Sequence, residues 1–462
     1  MTDPLSRLLD QNDWLLADGA TGTNLFNMGL ESGEPPELWN VDQPDRIRTL
    51  YRGAVEAGSD LFLTNSFGGN ASRLKLHKAQ GRVAELNRAA AELGREVADR
   101  AGRAVIVAGS IGPTGEIMAP MGTLTREAAV EMFHEQAEAL KDGGADVLWV
   151  ETISAFEEFG AAAEAARLAG MPWCGTMSFD TAGRTMMGVT SAELAASVEK
   201  LANPPVAYGA NCGVGAADLL RTVTGFAASG NERPLIAKGN AGIPRFEAGH
   251  IHYDGTPDLM ADYACLARDL GVRIIGGCCG TMPDHLRAMR EALETRPKGD
   301  RPSLQEIEAK LGGFSSANDG TGDDTNYLAR ANTALAAVER AQERADAMPG
   351  LWGADRASSA ARRSTGTHST RAVLDALCLY IAQSAQLVVE ADVRRLSADT
   401  GYGRTTVHTA LQALTRPVVD DDASSLQTNT FLFQPPATIN LFCDSTIKVM
   451  QETSSDPSLF SC

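Results

Sequence analysis

The sequence predicts an α/β chain whose first two thirds close into a (β/α)8 TIM barrel, followed by a small helical extension. Three observations carry this reading. Eight short apolar runs recur between Trp14 and Gly280, most of them closing on Gly, Asp, Asn or Glu. Longer stretches with apolar residues at helical spacing separate them. The rhythm then stops after about Thr295. Strands alternating with helices imply parallel pairing. Eight such units in about 270 residues suit a closed barrel better than an open doubly wound sheet.

The runs are Trp14–Asp18, Asp60–Asn65, Ala104–Gly109, Asp146–Glu151, Pro172–Phe179, Val206–Asn211, Pro234–Gly239 and Val272–Gly276. Glu127–Gly143 represents the intervening helices, with Val130, Phe133, Ala137 and Leu140 on one face. Arg301–Leu311 reads as a peripheral helix, which sets the barrel unit at residues 1–311. A Gly/Ser/Asp-rich linker covers 312–326. Residues 327–416 read as the helical extension, and 417–462 as a poorly structured, Asp/Ser/Thr-rich tail. Within the extension, Val393–Leu414 has the pattern of a helix-turn-helix around Gly401-Tyr402-Gly403, or of a plain helical hairpin.

The net charge of −18 over 462 residues argues against a chain that coats nucleic acid. No apolar run reaches the ~20 residues of a membrane span, so no membrane partner is expected. The N-terminus lacks a hydrophobic signal core, which points to the cytoplasm. Eight cysteines at irregular spacing do not make a disulfide framework; the adjacent pair Cys278-Cys279 reads as reduced thiols doing chemistry.

In a parallel barrel the active site lies at the C-terminal strand ends. Asp18, Asn65, Glu151, Asn211 with Cys212, and Cys278 with Cys279 would converge there. Three thiolates from two strand ends suit Zn²⁺ with a fourth position left for a substrate thiol, because coordination deprotonates a thiol and keeps it nucleophilic. Cys174 and Cys265 read instead as buried small apolar residues, and His250-Ile251-His252 as part of a Gly/Pro-rich loop. The glycines of Asp18-Gly19-Ala20-Thr21-Gly22-Thr23 allow an anion close to backbone N–H groups. An amino-acid substrate would then place its carboxylate on Gly19 and Ala20 and its ammonium on Asp18 and Glu151; a tight turn and a helix cap are the alternatives.

These motifs, with Thr64-Asn65-Ser66-Phe67, Gly109-Ser110-Ile111-Gly112-Pro113, Glu151-Thr152, Gly209-Ala210-Asn211-Cys212 and Gly276-Gly277-Cys278-Cys279-Gly280, resemble the homocysteine S-methyltransferase family over about residues 12–290. The barrel looks most like the bacterial betaine–homocysteine branch. The resemblance implies zinc on Cys212, Cys278 and Cys279, with the homocysteine amino group near Asp18 and Glu151; Gly19, Ala20, Asn65 and Asn211 complete the expected substrate-binding set. It implies methionine as product and betaine or a related onium as methyl donor. Gly68 stands where animal betaine enzymes carry an aromatic residue, so Trp39, Phe67, Trp149 and Tyr208 are the available cage residues. S-methylmethionine, or methylfolate through a corrinoid protein, are the alternative donors. The long folate- and cobalamin-binding modules of methionine synthase have no counterpart in the chain as read. A reading from another class is a DNA-binding regulator, with the barrel as ligand sensor and residues 327–416 contacting nucleic acid.

Overall fold

The computed structural model describes residues 3–31, 33–119, 122–180, 183–242, 244–247 and 250–315, and Val389–Asp392 with Thr446–Val449; at 244–247, 250–252 and in the last two segments only the backbone is described. Each predicted apolar run supplies one strand. They are β1 Leu15–Leu16, β2 Leu61–Leu63, β3 Ile106–Ile111, β4 Val147–Ile153, β5 Trp173–Met177, β6 Ala207–Cys212, β7 Leu235–Gly239 and β8 Val272–Gly277. The eight pair in parallel in the order β1-β8-β7-β6-β5-β4-β3-β2. A backbone bond from Asp60 N–H to Leu16 O (2.6 Å) joins the first strand to the second, completing the (β/α)8 barrel.

Alternation along the strands sorts the side chains. Leu15, Leu61, Ile106, Val147, Trp149, Cys174, Ala207, Ile236 and Ile274 fill the barrel interior. Leu5 and Leu9 of the N-terminal helix Pro4–Gln11 join them from below. The opposite faces pack on the helices; Arg126–Asp142, capped by Thr125, buries Phe133, Ala137 and Leu140 there. Cys174 and Cys265 are buried as expected. Further up the strands the inward positions turn polar: Ser110, Glu151, Thr176, Asn211 and Lys238.

Between β1 and β2 two aspartates stand in for the ladder. Asp60 Oδ2 accepts Leu16 N–H (2.8 Å) and is held by Arg290 (2.9 Å). Asp18 Oδ2 accepts Leu63 N–H (2.8 Å), while its Oδ1 is ion-paired with the Lys238 ammonium reaching across from β7. Both members of this pair are buried. The Lys238 stem runs over Gly276, where an added Cβ would lie 3.2 Å from Lys238 Cγ.

Two segments differ from expectation. The stretch read as a loop around the histidines is an antiparallel hairpin, Pro244–Glu247 with His250–Tyr253. In the sequence two four-residue runs with aromatic and β-branched members flank Ala248-Gly249, a short hairpin signal. The peripheral helix begins at Leu304 because Ser303 caps it, its hydroxyl accepting from Glu306 N–H. Residues 316–326 of the linker and the helix-turn-helix lie outside the described residues. The chain divides into two compact units, Met1–Gly322 and Asp323–Cys462. In the second, Val389–Asp392 pairs antiparallel with Thr446–Val449.

The seam makes a stability prediction. Lys238→Met strands a buried carboxylate and should cost about 3 kcal/mol. Asp18→Asn with Lys238→Met removes both charges and keeps an acceptor for Leu63 N–H, so most of that loss should return. Urea unfolding of the two variants checks this; equal losses would remove the ion pair from the account of the seam.

Candidate metal and amino-acid site

The chain brings Cys212, at the end of β6, to the Cys278-Cys279 turn after β8. The three Sγ atoms lie within 4.8 Å of one another, with Cys212 and Cys279 3.7 Å apart. Neighbouring strand ends hold the turn. Cys278 N–H donates to Gly239 O (2.7 Å), Cys279 N–H to Asn240 Oδ1 (3.1 Å) and Gly280 N–H to Thr23 Oγ1 (3.1 Å). Gly280 has φ +78°, and a Cβ there would lie 2.4 Å from Tyr253 Cγ, so only glycine fits between the cysteine pair and that ring.

The donor set fits zinc. Sulfurs each ~2.3 Å from a tetrahedral Zn²⁺ stand about 3.8 Å apart, which the Cys212–Cys279 separation matches. Hydrogen bonds from Cys212 and then Cys278 pull the Cys279 thiol well below the ordinary thiol range, while the same contacts push Cys212 up, so the three sulfurs share their protons. The site is chemically soft and anionic, suited to a borderline-soft dication.

Beside the sulfurs stands Glu151, whose Oε1 accepts from Ser110 Oγ (2.6 Å). Burial pushes its carboxyl up to about 7, against the opposing pull of the Lys238 charge. Asp18 occupies the same rim, engaged by Lys238 and Leu63 N–H. The Gly19 turn packs against Thr281: a Cβ on Gly19 would lie 2.6 Å from Thr281 O, and Ala20 N–H already donates to that oxygen (3.0 Å). The Thr281 hydroxyl is buried and has no hydrogen-bond partner among the described residues. Asn65 is also buried; its carboxamide donates to Pro36 O (2.8 Å) and Asn40 Oδ1 (2.9 Å) and so supports the loop after β2. Asn211 is buried between Thr152, Thr176 and Cys278.

Lys238, Ser110, Thr281 and Asn240 escaped sequence reasoning. Lys238 left a readable trace, since a lysine two residues after Ile236 in an apolar run must point the same way, into the barrel. The cage aromatics do not gather. Tyr208 turns outward to Phe226 (ring centroids 5.5 Å apart), Trp39 is covered by Arg46 at 4.7 Å, and Trp149 lies inside the barrel with Lys238 Nζ 5.8 Å from its ring centre. Phe67, half-buried against Gly112, is the one of the four left near the mouth.

Comparison with known proteins gives the family. The model of the homocysteine S-methyltransferase family matches residues 15–293. Methionine synthase of Mycobacterium leprae is 31% identical over 313 residues, covering 62% of this chain and 25% of that protein. Methionine synthase of Mycobacterium tuberculosis is 30% identical over 308 residues, with the same coverage. The chain therefore spans about a quarter of the length of these curated relatives. Among solved structures, the metallated form of the homocysteine methyltransferase MmuM from Escherichia coli aligns with a TM-score of 0.53 at 25% identity, over 63% of this chain and 99% of its own. The oxidized form aligns with a TM-score of 0.53 at 26% identity, with equal coverage. The family model spans more than half of the chain and takes in all three cysteines and both rim carboxylates, so the protein belongs to the homocysteine S-methyltransferase family.

Proposed function

We propose that the barrel transfers a methyl group from a small onium donor, such as betaine, to the sulfur of homocysteine, giving methionine, with zinc held by Cys212, Cys278 and Cys279. The observation that carries this reading is the three-thiol cluster, with all sulfurs within 4.8 Å and the Cys212–Cys279 pair at the spacing of a tetrahedral zinc site, set beside a buried carboxylate at one barrel rim. Bound zinc would hold the substrate sulfur as a thiolate at neutral pH, since metal coordination removes the thiol proton. Water activation for hydrolysis is served by His/Glu ligand sets, and among the described residues the one such cluster found is all-cysteine.

The chain's own residues bind and orient. Glu151, steadied by Ser110, takes the substrate ammonium. Asp18, held by Lys238, sets the negative floor beside it. The α-carboxylate lies beside the Gly19–Ala20 turn, where the Thr281 hydroxyl supplies the donor, the Ala20 N–H being engaged by Thr281 O. Asn65 and Asn211 contribute through the loops and strand ends they brace. In the transfer step the sulfur lone pair attacks the donor's methyl carbon and forms the S–C bond. The methyl–nitrogen bond breaks in line, and its electron pair leaves with the neutral amine. Holding both reactants at this geometry converts a two-body encounter into an effectively unimolecular step, which is where most of the acceleration arises. The donor enters from the mouth near Phe67. Among the described residues no helix is long and apolar enough to cross a membrane.

Two predictions test the reading. Cys279→Ala should lose bound zinc and methionine formation together while keeping its far-ultraviolet circular dichroism; turnover by zinc-free protein would defeat the proposal. Betaine, S-methylmethionine, methylfolate and a methyl-corrinoid, offered in parallel, identify the donor. The second prediction concerns pH. An acid with a raised pKa stays protonated further up the scale, so Glu151 loses its hold on the ammonium below about pH 7. KM for homocysteine should therefore climb as pH falls through 7, about tenfold per unit. In Glu151→Gln the KM should be high throughout and the bend absent.

A further inference from the structure

Two non-glycine residues at this rim sit in the left-handed region, Thr152 at φ +63° and Cys212 at φ +60°. For a β-branched threonine that conformation is strained and persists only where surrounding contacts over-determine it. Those contacts come from one side chain. Asn211 Oδ1 accepts from Thr152 N–H (2.9 Å) and from Thr176 Oγ1 (2.7 Å). Its Nδ2 donates to Thr152 Oγ1 (2.8 Å) and lies 3.9 Å from Cys278 Sγ. Asn211 has no solvent exposure, and both ends of its carboxamide are occupied.

What Thr152 does explains why it is held. The β4–β5 register shifts between Val150 and Ile153, which makes Glu151-Thr152 a bulge. Across it the inward–outward alternation resets: Glu151 faces Ser110 inside the barrel, whereas Ile153 packs in the outer core. Glu151 keeps the inward direction of Val147 and Trp149, and Thr152 turns the strand outward directly after it, so holding Thr152 fixes the backbone from which the Glu151 side chain projects.

We propose that Asn211 is a positioning residue for the thiol substrate: its carboxamide clamps the Thr152 bulge, aims Glu151 at the substrate's amino group, and ties that aim to the Cys278 sulfur. The amino-acid pocket and the sulfur cluster then keep a fixed separation. The proposal rests on the homocysteine reading above and assigns Asn211 a role exerted through other residues.

The test uses the full-length, zinc-loaded protein. Asn211→Ala should raise KM for homocysteine at least tenfold while kcat changes by less than threefold and bound zinc stays stoichiometric. Calorimetric titration with homocysteine should show the same loss of affinity. Glycine adopts φ +63° without strain, so Thr152→Gly alone should stay within a few-fold of wild type. Adding it to Asn211→Ala should recover most of the lost affinity. Thr176→Val, which removes only the lateral hydrogen bond to the carboxamide, should raise KM about threefold; this variant stands in if Asn211→Ala does not fold. An unchanged KM in Asn211→Ala or in Thr176→Val overturns the proposal. So does a double variant no better than Asn211→Ala, or loss of zinc that glycine does not restore. Wild-type protein that takes no homocysteine would sink the functional reading and this one with it. Wild-type turnover with unresponsive variants sinks only this one.

Discussion

A buried ammonium group makes the rim of this barrel tolerable. Two carboxylates and three thiols converge on a space enclosed by apolar strands, where like charges raise one another's energy and water cannot relieve them. Lys238 answers this from the opposite wall. It pairs with Asp18, opposes the upward shift of Glu151 and lies within electrostatic reach of Cys278. The same pairing leaves Asp18 an oxygen for Leu63 N–H, so the group that balances the site also helps close the ring of strands. Closure and chemistry therefore share one ion pair, a constraint that neither the fold nor the sulfur cluster would impose alone.

The geometry around that pair follows from layering. Below, the interior is Leu, Ile, Val and Trp in register, with Leu5 and Leu9 beneath; this is where burial stabilises the barrel. Above, the five strands β3 to β7 change character at their last inward positions, to Ser110, Glu151, Thr176, Asn211 and Lys238. Polar groups at that depth need partners, and they find them in one another. The outcome is a rigid polar floor under an open mouth, on which a zwitterionic amino acid can be read at both ends.

Much of this was legible beforehand, and the reason is periodicity. Eight apolar runs with helical stretches between them admit few folds, and strand ends that carry Cys212 and Cys278-Cys279 can meet only at one rim. The unreadable parts depend on three-dimensional pairing. Alternation turns Lys238 inward, but its partner Asp18, 220 residues away, is not legible in the sequence. Asn65 and Asn211 looked like ligand-binding amides, but a single sequence cannot show that Pro36, Asn40, Thr152 and Thr176 occupy their hydrogen bonds. The Gly19–Ala20 turn looked open to an anion, whereas Thr281, more than two hundred residues away, already accepts from Ala20. Aromatic residues were the least readable, since Tyr208 and Trp149 are separated by strand parity, one facing the helices and the other the barrel axis.

Strain at the rim links these observations. A barrel built only of regular strands would alternate its side chains in and out without exception, and Ile153 would follow Glu151 into the barrel. The bulge at Thr152 and the left-handed Cys212 break that regularity on two strands flanking β5, at the height where the cysteines meet. Both departures adjoin Asn211, whose single planar carboxamide contacts Thr152 directly and precedes Cys212 in the chain. A planar group with two acceptor and two donor directions is well suited to fix relative orientation, because each of its bonds constrains the angle of the others. On this argument the precision of the site resides in the amide that holds its neighbours in conformations they would otherwise leave, rather than in the sulfur and carboxylate groups themselves.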